Sequence, residues 1–182
     1  SRDRRLTVRS TAGLNITADA SLTSLIDVTQ FGGTITVDGG LTSVGDYTLF
    51  GGALQGGGTI TAPFVTAFMG AISPGRIGTI DTLTIDGSLI MTTASTLMID
   101  IGPNGTSDLV AVTGEAAFGA PADPDAEEDE EPTGPIVAVG AGILGQVNGL
   151  GQVYTIVTAE GGVSGEFVPD DISPILRQSF TY

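Results

Sequence analysis

Thr34-Ile35-Thr36-Val37-Asp38-Gly39-Gly40-Leu41 returns almost position for position as Thr82-Leu83-Thr84-Ile85-Asp86-Gly87-Ser88-Leu89. A shorter copy of Gly33-Thr34-Ile35-Thr36, Gly58-Thr59-Ile60-Thr61, starts about midway between the two. The spacing suggests a unit of about 24 residues, with the octapeptides two units apart. In each copy an apolar side chain alternates with a polar one, as in a half-buried strand. An Asp-Gly pair then ends the strand in both octapeptides. Asp bonds its own backbone in such turns and Gly supplies a positive φ, which gives Asp38 and Asp86 a structural role.

Leu97-Met98-Ile99-Asp100-Ile101 alternates in the same way, and no window carries a capped helical stripe. A unit this short cannot bury its own apolar side. Stacking units about 4.8 Å apart buries a continuous core and pairs the backbone. The expectation is an all-β fold, a parallel β-solenoid of roughly seven rungs. An antiparallel sandwich also has many short strands and is the competing architecture; the periodicity favours the solenoid.

Composition narrows the chemistry. The 182 residues hold 6 basic and 21 acidic side chains, a formal charge of −15. Lys, His, Cys and Trp are absent, whereas Gly numbers 28 and Thr 24. Without His there is no imidazole base and no Ser–His–Asp triad. Without Cys there is no disulfide or thiolate, and without Lys no Schiff base. The negative charge repels phosphate, so nucleic acid is not an expected partner. No run approaches the roughly 20 apolar residues of a membrane-spanning helix.

Several local features bear on function. Four of the six Arg lie in Ser1 to Arg9, which reads as a solvated end or a small basic contact patch. Seven carboxylates crowd Asp123 to Glu131, within Pro121 to Pro135. That run reads as an exposed, disordered acidic insertion, without the spacing of a calcium loop. Gly140-Ala141-Gly142-Ile143-Leu144-Gly145 follows the strand-like Ile136-Val137-Ala138-Val139, and Glu160 lies about 20 residues past Gly140, as in a dinucleotide fingerprint. Only Gln146 to Gln152 separates it from the next strand-like run, too short a link for the helix that a dinucleotide site needs. Asp81, Asp86, Asp100 and Asp108 are the carboxylates that could serve a glycosidase. Aromatic residues to line a sugar cleft are scarce, and no catalytic, cofactor or metal residue is assigned. The sequons at Asn15 and Asn104 are expected by chance in a Thr-rich chain.

Three blocks carry a family resemblance. They are Ser73-Pro74-Gly75-Arg76-Ile77-Gly78-Thr79-Ile80 leading into Leu83 to Gly87, then Ser107 to Gly114, then Tyr154 to Phe167. In this order and spacing they resemble the end of the passenger of type V secretion autotransporters, including its autochaperone region. The resemblance implies a right-handed parallel β-helix that is exported across the periplasm and displayed at the outer membrane or released. It implies stalk rungs over 1–58, with a basic end at 1–9, and an autochaperone-like region over 59–182. It also implies a partner, the passenger's own outer-membrane β-barrel, which lies outside these residues. Host or surface glycans or neighbouring passengers are further expected partners. The acidic insertion departs from the pattern, because relatives continue there with short strands. The expected role is non-enzymatic: to fold on export, nucleate the passenger and hold an N-terminal region off the surface. Leu109, Val110 and Val112, with Tyr154, Ile156 and Val157, are the expected folding nucleus. Alternation puts Leu109 opposite the Val110/Val112 pair, so one set should point inward. An adhesin or self-assembling fibre built from the solenoid is the first alternative, and a polysaccharide-active β-helix the second.

Overall fold

The computed structural model describes residues 5–119, 134–139 and 153–169. The chain winds as a three-sided parallel β-helix. The first rung is β1 (Leu6–Val8), β2 (Gly13–Ile16) and β3 (Ser21–Ser24); the second is β4 (Val28–Gln30), β5 (Thr34–Val37) and β6 (Gly40–Ser43). The third is β7 (Tyr47–Leu49), β8 (Ala53–Gly56) and the first half of β9 (Thr59–Ala67). The rest of β9, β10 (Gly70–Pro74) and the start of β11 (Thr82–Met91) make the fourth. The end of β11, β12 (Ser95–Ile99) and β13 (Leu109–Val112) make the fifth. The sixth is β14 (Ala116–Phe118), β15 (Ile136–Val139) and β16 (Val157–Ala159). A partial seventh holds β17 (Val163–Gly165) and β18 (Val168–Pro169). The paired strands run parallel on every face, so the solenoid stands and the antiparallel sandwich does not.

Each face is one ladder. On the first face Leu6, Val28, Tyr47, Val65, Leu89, Ala116 and Val163 are successive partners. On the second, Leu14, Ile35, Leu54, Ile72, Leu97 and Val137 follow one another. On the third, Leu22, Leu41, Ile60, Ile85, Val112 and Ala159 do so. These side chains point inward and form one apolar core along the axis. At roughly 25 cal/mol per Å² removed from water, that core supplies the main driving force. Each rung leans on its neighbours because none closes a core alone.

The interior also holds a satisfied polar group. Gln30 is fully buried and donates Nε2–H to Gly33 O (3.1 Å) and Ala53 O (3.0 Å). The buried Tyr47 hydroxyl donates to Gln30 Oε1 at 2.6 Å, and burial pushes that phenol well above its ordinary pKa.

The repeated octapeptide does not mark equivalent places. Thr34–Val37 lies on the second face, whereas Thr82–Ile85 lies on the third. Uneven rungs explain the mismatch. On the first face the ladder steps from Val28 to Tyr47 and from Tyr47 to Val65, then more widely from Val65 to Leu89 and from Leu89 to Ala116. The widest step runs from Ala116 to Val163. A unit of about 24 residues falls within this spread, with no fixed register behind it. What the octapeptide marks is a corner, a strand that turns at Asp-Gly into the next strand.

The turn chemistry also differs from expectation. Of Gly39 and Gly87, only Gly87 has positive φ, at 145°. Gly39 is required for space, since a Cβ there would lie 2.1 Å from Ala20 O. The Asp38 carboxylate pairs with Arg76 Nη2 at 2.7 Å. That of Asp86 accepts hydroxyl hydrogens from Thr113 (3.1 Å) and Thr61 (3.5 Å) on the adjacent rungs. Both bind across rungs rather than to their own backbone. The N-terminal segment is structural from Arg5 on: Leu6–Val8 is a first-rung strand, and Arg5 Nε pairs with Asp27 Oδ1 at 2.6 Å.

Candidate functional site

Among the described residues, one corner of the solenoid carries more non-strand chain than either of the others. Between the second and third faces, the second rung turns on Asp38-Gly39 and the third on Gly57-Gly58. The fourth rung there makes an excursion over Gly75 to Asp81, and the fifth over Asp100 to Asp108. In the sixth rung the described residues 153–156 lead from this corner into the third face. Loops held on a rigid scaffold are the usual carriers of function. Three of the four carboxylates singled out from sequence lie in these excursions.

Asp108 ties two excursions together. Its Oδ1 accepts from Asp81 N–H at 2.9 Å and its Oδ2 from Asp100 N–H at 2.8 Å. Asp100 Oδ2 in turn accepts from Gly78 N–H. Asp81 Oδ1 accepts from Thr82 N–H at 2.8 Å. Excursions cannot use the ladder to satisfy their backbone, so side-chain carboxylates take that place. Asp108 is fully buried. Burial pushes its carboxyl up to about 6, with the charges of Asp100 and Asp81 adding to the rise and the two backbone donors opposing it. Asp100 is 3% exposed, and its Oδ1 has no hydrogen-bond partner among the described residues. A buried acceptor left unpaired costs about 1–3 kcal/mol. Asp86 lies elsewhere, on the third face between Thr61 and Thr113. The structure therefore brings Asp81, Asp100 and Asp108 together and leaves Asp86 apart. Their chemistry here is to accept backbone N–H groups. Among the described residues no group of three His, Cys, Asp or Glu side chains is placed to hold a metal ion.

The expected folding nucleus sits beside this corner. Val110 and Val112 are buried and Leu109 is half-buried on the outer side, so the valine pair is the inward set. Ile156 and Val157 are buried one after the other, and Val157 pairs with Val110. Val110 N–H donates to Ile156 O at 2.9 Å, and Glu160 N–H to Val112 O at 3.0 Å. Tyr154 is buried, with its hydroxyl 3.4 Å from Gly102 O. Ser107 Oγ donates to Thr155 O at 2.9 Å. The strand expected from Val153 to Val157 begins only at Val157, because the residues before it cross the corner. Of the six, Val110, Ile156 and Val157 meet across adjacent rungs, whereas Tyr154 reaches Gly102 and Leu109 pairs with Thr82 on its outer side.

Two shallow grooves run along the third face. One of about 540 Å³ is lined by Thr42, Thr61, Pro63, Asp86 and Thr113 among others, and one of about 300 Å³ by Thr84, Thr158 and Glu160 among others. Neither is an enclosed cleft. The glycine-rich stretch Gly140–Gly145 and the acidic run Asp123–Glu131 lie outside the described residues. No described helix is long and apolar enough to cross a membrane. Sequence reasoning missed the bonding of Asp108, because the two N–H groups it accepts lie 27 and 8 residues away. It also missed a column of exposed Phe side chains, whose spacing of about one rung was the available signal. Neither the sequence nor the fold matches a family model, a curated protein or a solved structure.

Proposed function

We propose that this chain is a non-enzymatic structural solenoid, the C-terminal stalk of a surface-displayed passenger, whose last rungs fold first and template the others. One observation carries the reading. The three sequence blocks that resemble a passenger are far apart in the chain, yet they supply consecutive layers of one ladder, with Leu83 beside Val110 and Val110 beside Val157. A folded rung leaves a row of unpaired N–H and C=O groups at its edge, a template for the next segment to arrive. Each added rung gains ladder hydrogen bonds and buried aliphatic area, which opposes backsliding during export. The partner in this reading is the passenger's own outer-membrane barrel, and the place of action is the cell surface.

The test is pulse-labelling hydrogen exchange during refolding of the full chain, beside surface display ahead of an outer-membrane barrel. Amides of β11, β13 and β16 should gain protection before those of β1 to β6. Val110→Asp and Ile156→Asp should each abolish display. Simultaneous protection of all rungs, or unchanged display in both variants, overturns the proposal.

A further inference from the structure

The third face carries hydroxyls in two columns. Leu22, Leu41, Ile60 and Ile85 point into the core there, so the residues on either side of each point outward. One outward column reads Ser21, Gly40, Thr59, Thr84, in register from rung to rung. The other reads Thr23, Thr42, Thr61, Asp86. The array is uncharged through the first three rungs, in a chain of formal charge −15. At the fourth rung Asp86 closes it, with its carboxylate accepting from Thr61. Among the described residues the hydroxyls of Thr23, Thr42, Thr59 and Thr84 have no hydrogen-bond partner, and their donors and acceptors are left for water. Thr favours strands in any setting. The first face shows what that preference alone gives. It has a single file, Thr7, Thr29, Thr48 and Thr66, beside an edge that runs from Arg9 through the stacked rings of Phe31, Phe50 and Phe68 to Glu166.

We infer that the third face, over its first four rungs, binds ice. The ladder fixes the array at about 4.8 Å along the axis and about 6.7 Å across, two residues of strand. Water oxygens on a prism face of ice repeat at similar distances in two perpendicular directions. A lone hydroxyl gains nothing by holding a water of the lattice rather than one of the liquid. A rigid two-dimensional set gains, because each contact, once made, places the next. Rigidity is built in. From the second rung on, the third-face strands are paired on both sides. Each β-branched Thr has few rotamers, so little ordering entropy is lost on binding. The chemistry of the face argues against other flat lattices. An ionic mineral calls for a field of charges, and the first three rungs have none at these positions. A crystalline glycan calls for aromatic platforms, and neither column holds an aromatic side chain. Gly40 leaves one gap in the array. The single file of the first face matches a lattice in one direction only.

Ice-affinity partition of the full chain tests this, since a slowly grown ice front either takes a protein up or rejects it to the liquid. Uptake is expected, with faceted crystals whose growth halts below the melting point. Thr59→Tyr and Thr42→Tyr each raise a ring above the array, and each should lose uptake. Thr48→Tyr, outward on the first face, should keep it. Circular dichroism melts show which variants are folded, and the two third-face positions lie on separate rungs, so a loss of fold in one leaves the other. Rejection of the unaltered chain by ice overturns the inference. Uptake that survives in a folded Thr59→Tyr or Thr42→Tyr overturns it too, because the contact then lies on another face. So does loss of uptake in a folded Thr48→Tyr. Rejection by ice with retention on crystalline chitin overturns it in favour of a glycan surface.

Discussion

The second and third rungs and the fourth and fifth rungs solve the same problem differently. In the former, Asp38-Gly39 and Gly57-Gly58 alone join the second face to the third, and the rungs are short, Val28 to Tyr47 and Tyr47 to Val65. In the latter, excursions replace those turns and the rungs lengthen, Val65 to Leu89 and Leu89 to Ala116. The ladder continues through both. A parallel stack fixes the strands, where neighbouring backbones must pair, and leaves the corners free wherever their own backbone groups find partners. In the short rungs Gly39 and Gly58 lie against the backbone of the rung beside them. In the long rungs Asp100 and Asp108 take the place of ladder partners. The extra length is therefore accompanied by buried carboxylates.

The sharpest test of this contrast places one charge in each half. Val28 and Val110 are both fully buried. Val110→Asp should cost more than about 4 kcal/mol and unfold the whole chain, since an unpaired charge in a packed core is among the most damaging changes. Val28→Asp should open only the early rungs and leave β11, β13 and β16 protected in native-state hydrogen exchange. Loss of protection throughout in both variants would mean that the solenoid is one cooperative unit without a dominant half.

A smaller effect separates corners from strands. Gly87→Ala forces a Cβ to 1.8 Å from Ala62 O at a φ of 145°. It should cost about 3 kcal/mol in denaturant unfolding, by strain and backbone displacement. A cost under about 1 kcal/mol would show that this corner yields.

The carboxylate-held corner predicts a pH response that the glycine corners lack. Asp108 has a folded pKa of about 6, above its ordinary 3.8. Between those values the folded state binds more proton than the unfolded state. The Asp108 contribution to stability is thus full below about pH 4 and is lost as pH rises through about 6, by up to about 3 kcal/mol. Urea unfolding of the protein and of Asp108→Asn at pH 4, 5, 6 and 7 isolates it. The difference between them should change across that window; a constant difference would mean that Asp108 stays ionised throughout.

The smallest effect concerns the early core. Gln30→Leu keeps the volume but removes the acceptor of the Tyr47 hydroxyl and one donor each from Gly33 O and Ala53 O, of which Gly33 O keeps the N–H of Ala53. A loss of about 1–2 kcal/mol is expected in thermal unfolding. An unchanged melting temperature would mean that the interior relaxes to satisfy these groups.

Much of the architecture was legible because alternation and glycine spacing follow directly from strand geometry. Thr34–Val37 and Thr82–Ile85 read as strands and are strands. Their shared octapeptide could not reveal that they lie on different faces, because the same Asp-Gly pair serves corners at two edges with different backbone geometry, Gly87 at positive φ and Gly39 not. The carboxylates of the corner were legible as candidates, since Asp81, Asp100 and Asp108 stand out in a chain with so little other chemistry. Their arrangement was not, because the partners of Asp108 are backbone N–H groups placed by the winding of the rungs. Placing Val110 inward and Leu109 outward likewise required the register.

The sequence by itself determined an all-β architecture of short repeated strands and favoured a parallel solenoid of about seven rungs over a sandwich. Short alternating runs without room for helices or large aromatic cores leave few other ways to bury Ile, Leu and Val. Only the tertiary structure decided which residues share a column. It set Arg9, three Phe side chains and Glu166 along one edge, joined Val110 to Val157 and gave Asp108 its backbone donors. The reason is that a rung's length can vary at its corners without disturbing the ladder, so distance along the chain does not fix position around the axis. Register is set by inter-rung hydrogen bonds and core packing, which act between residues that no local pattern connects.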